Sequence, residues 1–281
     1  MGLTTLTQGH LKLLELCPRR FQYSYLDQLA TPTEPAMLAR QQWGTRFHLV
    51  MQQRELGLAV APLLAHDPAL ESAVQALLTT APDLFAPAIE PGATALDASA
   101  VAGVPFRQSE HRRNLTFNGY GLTVIYDLLI ITPTQGQIVD WKTYLHPPSQ
   151  RQLTKDWQTR LYLYVLAETT DLAPEQLSMS YWFVQPQLSS PSEAQPLAQP
   201  SQILLPYSAA QHRRTERDLR QLTDKLTTLR ATFQDFPKVE ESQGHCLRCP
   251  FAVRCQRASE RYENLGLSDL PPIEEIAEVS L

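Results

Sequence analysis

The sequence predicts an α/β fold, a mixed central sheet flanked by helices. Three observations carry that expectation. From Val104 to Lys142 the chain reads as strands separated by turn signals. Helical patterns lie on both sides, over residues 4–26 and 36–56 before this stretch and 155–168 and 208–234 after it. Two further strands, Ser178–Gln185 and Ile203–Tyr207, fall between the last two helices. With 281 residues, 43% of them apolar, the chain can bury a substantial core.

Each element has a local reason. In the first helix, Leu11 and Leu14 are followed by an aromatic face of Phe21 and Tyr25, and the segment ends at the Thr31-Pro32-Thr33-Glu34-Pro35 break. Gly57 stops the second helix. Residues 58–100, rich in Ala, Leu and Pro, read as a helical insertion. Within it Asp67-Pro68 supplies a cap and a first-turn proline for a helix running to about Thr80. Asn118-Gly119 is a hairpin turn. Tyr120–Ile131 is a long apolar strand, Thr134-Gln135-Gly136 turns the chain, and Gln137–Thr143 returns. Residues 186–202 are a loop rich in Pro, Ser and Gln, and the acidic segment 268–281 reads as a flexible tail. The whole, 1–281, is expected to be a single domain.

The chemistry concentrates on the second hairpin, at Asp127 and Asp140-Trp141-Lys142. Residues two apart on a strand share a side, so Asp140 and Lys142 point one way and Trp141 the other. The turn at 134–136 folds this strand back and can bring Asp127 near Asp140. Paired carboxylates suit a hard divalent cation such as magnesium or manganese. Such an ion polarises a phosphodiester and lowers the pKa of water, while a neighbouring lysine orients the nucleophile. A bare D-x-K is common in solvated edge hairpins. Here, however, Asp127 lies within Val124-Ile125-Tyr126-Asp127-Leu128-Leu129-Ile130, where a charge is costly unless paired or metal-bound.

Two helices add companions. Gly44 and His48 are one turn apart, so they share a face, and a glycine inside a helix suggests close approach by another element. His48 is a candidate metal ligand. Gln158 and Tyr162 share a face of the helix after the hairpin, within hydrogen-bonding reach of a phosphate, a base or the lysine. An amphipathic helix packed through Trp157, Leu161 and Val165 explains the same spacing.

Four cysteines complete the set. Cys246, Cys249 and Cys255 form C-x2-C-x5-C, with Pro250 after the middle one, and Cys17 stands near the start. Four thiolates suit a four-iron cluster or zinc. His245 offers a Cys3His alternative for zinc that leaves Cys17 out. A ligand set joining residue 17 to residues 246–255 closes a very long loop and constrains the unfolded chain. It also draws Arg19, Arg20, Arg248 and Arg254 together as a candidate phosphate-binding patch.

In this order, Cys17-Pro18-Arg19-Arg20-Phe21, Gly44 to His48, Asp127, Asp140-Trp141-Lys142 and Gln158 to Tyr162 resemble the RecB-type branch of the PD-(D/E)XK nucleases. The resemblance implies a restriction-endonuclease-like sheet. It implies a metal held by His48, Asp127, Asp140 and the backbone carbonyl of Trp141. Lys142 would serve catalysis, and Gln158 and Tyr162 would position the lysine and the DNA strand. It also favours a 4Fe-4S cluster on Cys17, Cys246, Cys249 and Cys255 over zinc, as in AddB-type and CRISPR-associated adaptation nucleases. Where the family often carries a glycine shortly before the first aspartate, Val124-Ile125-Tyr126 stands instead.

The resemblance therefore implies a magnesium- or manganese-dependent deoxyribonuclease, acting as an exonuclease on single-stranded or frayed DNA ends in repair, recombination or CRISPR adaptation. The alternatives are a non-catalytic DNA-binding subunit of a helicase–nuclease complex, an iron–sulfur sensor or electron-transfer protein, and a sequence-specific restriction endonuclease. The net charge of −5 leaves room only for a local basic groove, and nineteen arginines to five lysines are neutral in this respect. No G-x-x-x-x-G-K-[ST] loop occurs, so a helicase partner is a separate chain. The start lacks a signal pattern and no run of about 18 apolar residues occurs, so a cytoplasmic protein without membrane contact is expected.

Overall fold

Tyr120–Ile131 is the strand on which the rest of the sheet is built. The computed structural model describes residues 5–29, 31, 35–85, 105–143, 147–185 and 199–257. The remainder of the expected insertion, most of the 186–202 loop and the acidic tail lie outside them.

In chain order the elements begin with β1 (Thr5–Leu6), α1 (Gln8–Leu16) and α2 (Pro18–Phe21), the last followed by a π-helical turn over Gln22–Leu26. Next come α3 (Pro35–Glu55), α4 (Ala61–Leu64), α5 (Pro68–Thr80) and α6 (Pro82–Phe85). After them run β2 (Phe106–Phe117), β3 (Tyr120–Ile131), β4 (Gly136–Lys142), α7 (Gln150–Lys155), α8 (Trp157–Glu168), β5 (Leu177–Phe183), β6 (Ser201–Pro206) and α9 (Ala209–Thr232). The fold is thus α/β, a six-stranded mixed sheet flanked by helices.

The first helical segment differs from expectation. Thr5 and Leu6 pair in parallel with Gly121 and Leu122 of β3. The helix then breaks at Cys17, which is extended at φ −162°, ψ 111°. Pro18 is the cause: it restricts the residue before it to extended conformations, and it fits the first position of a new helix.

Two compact units divide the chain, one comprising Leu3–Lys12 and Pro32–Lys225, the other including Leu13–Thr31 and the chain from Leu226 onward. The sheet belongs to the first. β2 runs antiparallel to β3 along its length, joined by a two-residue turn in which Asn118 (φ 49°) and Gly119 (φ 81°) are both left-handed. A primed turn of this kind matches the twist of paired strands. The other edge of β3 is shared. β1 takes Gly121 and Leu122, while β4 takes Leu128 to Ile131 in antiparallel register. Between these two pairings the sheet is forked. Beyond β4 come β5, in parallel, and β6, antiparallel.

One side of the sheet is covered by α3 and α5. Trp43, Phe47, Val50 and Met51 on α3 and Leu70, Val74 and Leu77 on α5 pack with Leu128, Val139, Trp141 and Trp182 from the strands. Each fully buried side chain of this size contributes about 1.5–3 kcal/mol. Asp67 caps α5 by accepting from the Leu70 N–H at 3.0 Å. Arg107 on β2 grips Glu55 at the end of α3 through two 2.7 Å bonds, fixing the helix along the sheet. Gly44 is the point of closest approach: a Cβ there would lie 3.0 Å from the Thr143 Oγ1 just beyond β4. Helix α8 carries buried Trp157, Leu161, Tyr162 and Val165. Thr159 and Tyr181, 2.8 Å apart, link it to β5.

The second unit is smaller. Gln22 donates to the Gln234 carbonyl and accepts from the Phe236 N–H, each at 2.8 Å. Phe21 stacks on Phe236 with ring planes 1° apart. Tyr23 packs on Phe251, and Cys255 and Cys249 lie against the same pair. Lys238 donates to the Cys255 carbonyl at 2.7 Å.

Candidate active site

The fork in β3 is where the acidic residues gather. Ser109 pairs with Leu128 and His111 with Tyr126, which leaves Glu110 opposite Asp127. On the other edge, Leu128 with Val139 is the last pair before β3 and β4 part, so Asp127 and Asp140 occupy the next positions along. Instead of continuing the ladder, Asp127 accepts from the Trp141 backbone N–H at 2.8 Å through Oδ2. Its Oδ1 lies 3.4 Å from His48 Nδ1 on α3. One ligand atom from each of His48, Glu110 and Asp127 lies within 4.8 Å of the other two. Two carboxylate oxygens and an imidazole nitrogen are a donor set that suits magnesium or manganese.

The charges here strain against one another. Burial lowers the His48 pKa, but its hydrogen bond to Asp127 and the charges of Asp127 and Asp140 outweigh this and raise it. Burial and the Asp127 carboxylate raise that of Glu110. Glu110 also holds a left-handed backbone, φ 49°, which is uncommon for a non-glycine residue.

Asp140 is 2% exposed, and burial together with Asp127 pushes its pKa up to about 7, against the opposing pull of Lys142. Lys142 Nζ lies 2.8 Å from Asp140 Oδ2, an ion pair. Gln158 joins the two side chains. Its Nε2 donates to Asp140 Oδ1 at 2.6 Å, and its Oε1 accepts from Lys142 Nζ at 2.8 Å. Asp156 starts α8 by capping the Gln158 N–H at 2.9 Å, which fixes Gln158 at the first turn. Tyr162, one turn further on, is buried and sits at the fork. Gln8 Nε2 donates to its hydroxyl at 3.4 Å, and its backbone carbonyl accepts from the Tyr126 hydroxyl at 3.1 Å.

A model of the PD-(D/E)XK nuclease superfamily matches residues 5–256. The chain belongs to this superfamily. No curated protein matches it in sequence. Among solved structures, it is similar to a candidate exonuclease from Eubacterium rectale. That match has a TM-score of 0.50 and 9% identity, covering 91% of this chain and 89% of that one. Another match is the protein SSO0001, at TM-score 0.37 and 11% identity, with 91% and 87% covered. At 9% identity the likeness to the Eubacterium rectale protein concerns the fold alone. Membership in the PD-(D/E)XK superfamily implies a phosphodiesterase with a nucleic-acid substrate and a divalent metal. No helix among the described residues is long and apolar enough to cross a membrane.

The other residues singled out in this PD-(D/E)XK chain fall in the smaller unit. Cys17, Cys246, Cys249 and Cys255 are free thiols lining one pocket, together with His245 and Arg20. Burial raises the pKa of Cys246 and of Cys255, and each also feels Cys249 and Cys17. All four thiols and His245 line this one pocket, but among the described residues no three of their ligand atoms lie within 4.8 Å of one another. Of the four arginines, Arg19 is largely enclosed and paired with Asp235. Arg254 lies over the Tyr23 ring at 5.3 Å, and Arg248 is exposed.

Glu110 is the functional candidate that the sequence reading passed over. A signal existed. With Asn118-Gly119 as a two-residue turn, Phe117 pairs with Tyr120, and counting back from there sets residue 110 against 127.

Proposed function

We propose that this chain is a magnesium- or manganese-dependent deoxyribonuclease, acting as an exonuclease on single-stranded or frayed DNA ends. The observation that carries the reading is the continuous set of side chains from His48, Glu110 and Asp127 to Asp140, Lys142 and Gln158, assembled where the sheet forks.

His48, Glu110, Asp127 and Asp140, with the Trp141 carbonyl, would hold the cation. Bound there, it would supply charge neutralisation at the phosphate and a lowered pKa for water. The protein's own groups do the rest. Lys142, clamped between Asp140 and Gln158, presents an ammonium in a fixed position to orient the attacking water or the phosphate oxygens. Gln158 prevents the lysine from collapsing wholly onto Asp140. Tyr162, buried one turn beyond Gln158, would help to position the lysine and the DNA strand. In the smaller unit, Cys17, Cys246, Cys249 and Cys255 would hold a 4Fe-4S cluster, with zinc the alternative. Repair, recombination or CRISPR adaptation, beside a separate helicase, is the setting this activity fits.

The test is cleavage of end-labelled single- and double-stranded DNA by anaerobically purified protein in manganese or EDTA, alongside Lys142→Ala. Metal-dependent cutting that the variant loses is the expected result. A folded wild type that binds DNA and never cuts would instead make this a non-catalytic DNA-binding subunit.

A further inference from the structure

Lys142 faces two places. One is the carboxylate group at the fork. The other is a cleft of about 240 Å³ running from Lys142 to the start of α1, lined by Gln8, Lys12, Gln152, Asp156 and Gln158. All of these residues lie in the sheet-bearing unit. Apart from Asp156 the polar side chains named here are amides and ammonium groups, the donors that a phosphate and a sugar or base edge require. Gln152 spends its carbonyl on the cap of α7, accepting from Ser149 at 2.8 Å, which leaves its NH2 group as a donor.

Lys12 and Asp156 form the mouth of this cleft. They are 2.7 Å apart, with side chains 65% and 31% exposed. An ion pair this exposed is weak, about 0–1 kcal/mol, so exchanging its partner costs little. Asp156 also has a second task, since its Oδ1 caps α8 while Oδ2 holds Lys12. The carboxylate therefore stays in place whether or not Lys12 does.

We infer that this cleft binds the nucleotide next to the scissile bond. Lys12 exchanges Asp156 for that nucleotide's phosphate, and Gln8 and Gln152 contact its sugar or base. Lys12 is thus a strand-positioning residue in an exchangeable latch, not part of the bond-breaking set. This inference rests on the nuclease reading given above.

The two partners of the latch are expected to act in opposite directions, which a purely structural ion pair does not do. Binding of a short fluorescein-labelled oligothymidylate in EDTA, followed by anisotropy over a salt series, reads this without turnover. Lys12→Gln should weaken binding about tenfold, as loss of a charged hydrogen bond does. It should also flatten the log Kd against log salt slope by about 0.7, the value for one phosphate contact on a single strand. Lys12→Arg should restore both. Asp156→Asn keeps an equally good helix cap, and by releasing Lys12 it should tighten binding. In manganese, Lys12→Gln should raise KM and leave kcat near the wild-type value. If Lys12→Gln and Asp156→Asn both weaken binding, or Lys12→Gln leaves the slope unchanged, the pair is structural and the inference is overturned. A wild type that binds with these responses but never cuts overturns the nuclease reading alone, whereas one that does not bind at all overturns both.

Discussion

Glu110 stands directly across the β2–β3 ladder from Asp127, with its backbone in the left-handed region at φ 49°. Like charges facing each other on paired strands destabilise by about 0.2–1 kcal/mol, and a left-handed glutamate adds strain. A cation between the carboxylates would remove the repulsion and offset the backbone cost. Asparagine tolerates this backbone and carries no charge. Glu110→Asn should therefore raise the melting temperature in EDTA while shrinking the further rise that manganese produces. A lower melting temperature in EDTA would mean that Glu110 makes a structural contribution instead.

Gln158 tests whether Lys142 must be held as well as present. Gln158→Ala should reduce kcat about a hundredfold with KM little changed, since misplacing a reacting group by an ångström costs that much. Residues acting as one unit are not additive. The double variant Gln158→Ala, Lys142→Ala should thus cut no more slowly than Lys142→Ala alone. Additive losses would separate the two roles.

Asp140 gives a pH signature. Its pKa rises from 3.8 to about 7 on folding, through burial and the Asp127 charge. Between those values the native state keeps a proton that the unfolded chain releases, so its contribution to stability falls as pH rises through that window. In EDTA, Asp140→Asn should gain in melting temperature over the wild type as pH rises from 4 to 7. A constant difference across that range would contradict the raised pKa.

The cysteine pocket should be separable from cutting. Cys249→Ser should bleach absorbance near 400 nm and lower the melting temperature. Asp140→Ala should abolish cleavage yet leave the protein brown. An unchanged spectrum in Cys249→Ser points to zinc or to no metal, and a colourless Asp140→Ala would show the two sites to be coupled.

The fold class, the hairpin and the shared side of Asp140 and Lys142 were legible because they depend on short-range period and spacing, whereas Gln158 beside the lysine was an expectation of the resemblance and its bond to Asp140 was not foreseen. Three further features were not legible. The break at Cys17 was hidden by an apolar pattern running on from residue 4 to residue 26, although Pro18 encoded it. Glu110 was hidden because its neighbours Arg107, His111, Arg112 and Arg113 make β2 read as an ordinary solvated strand. Its meaning depends on what lies across the ladder, and only the register shows that. The forking of β3 depends on β1 taking Gly121 and Leu122, a two-residue pairing too short to leave a period of its own.

The smaller unit also sets an order of events during synthesis. Cys17 is made early, but its pocket partners, Cys246 to Cys255, are made only after every strand of the sheet. At about 5–20 residues per second, Cys17 waits roughly ten to fifty seconds for them. During that interval the sheet-bearing part can assemble, so the carboxylates at the fork can come together before the cysteine pocket exists. Until the late cysteines arrive, Cys17 stays a lone thiol open to oxidants in a chain whose acidic centre can already be built.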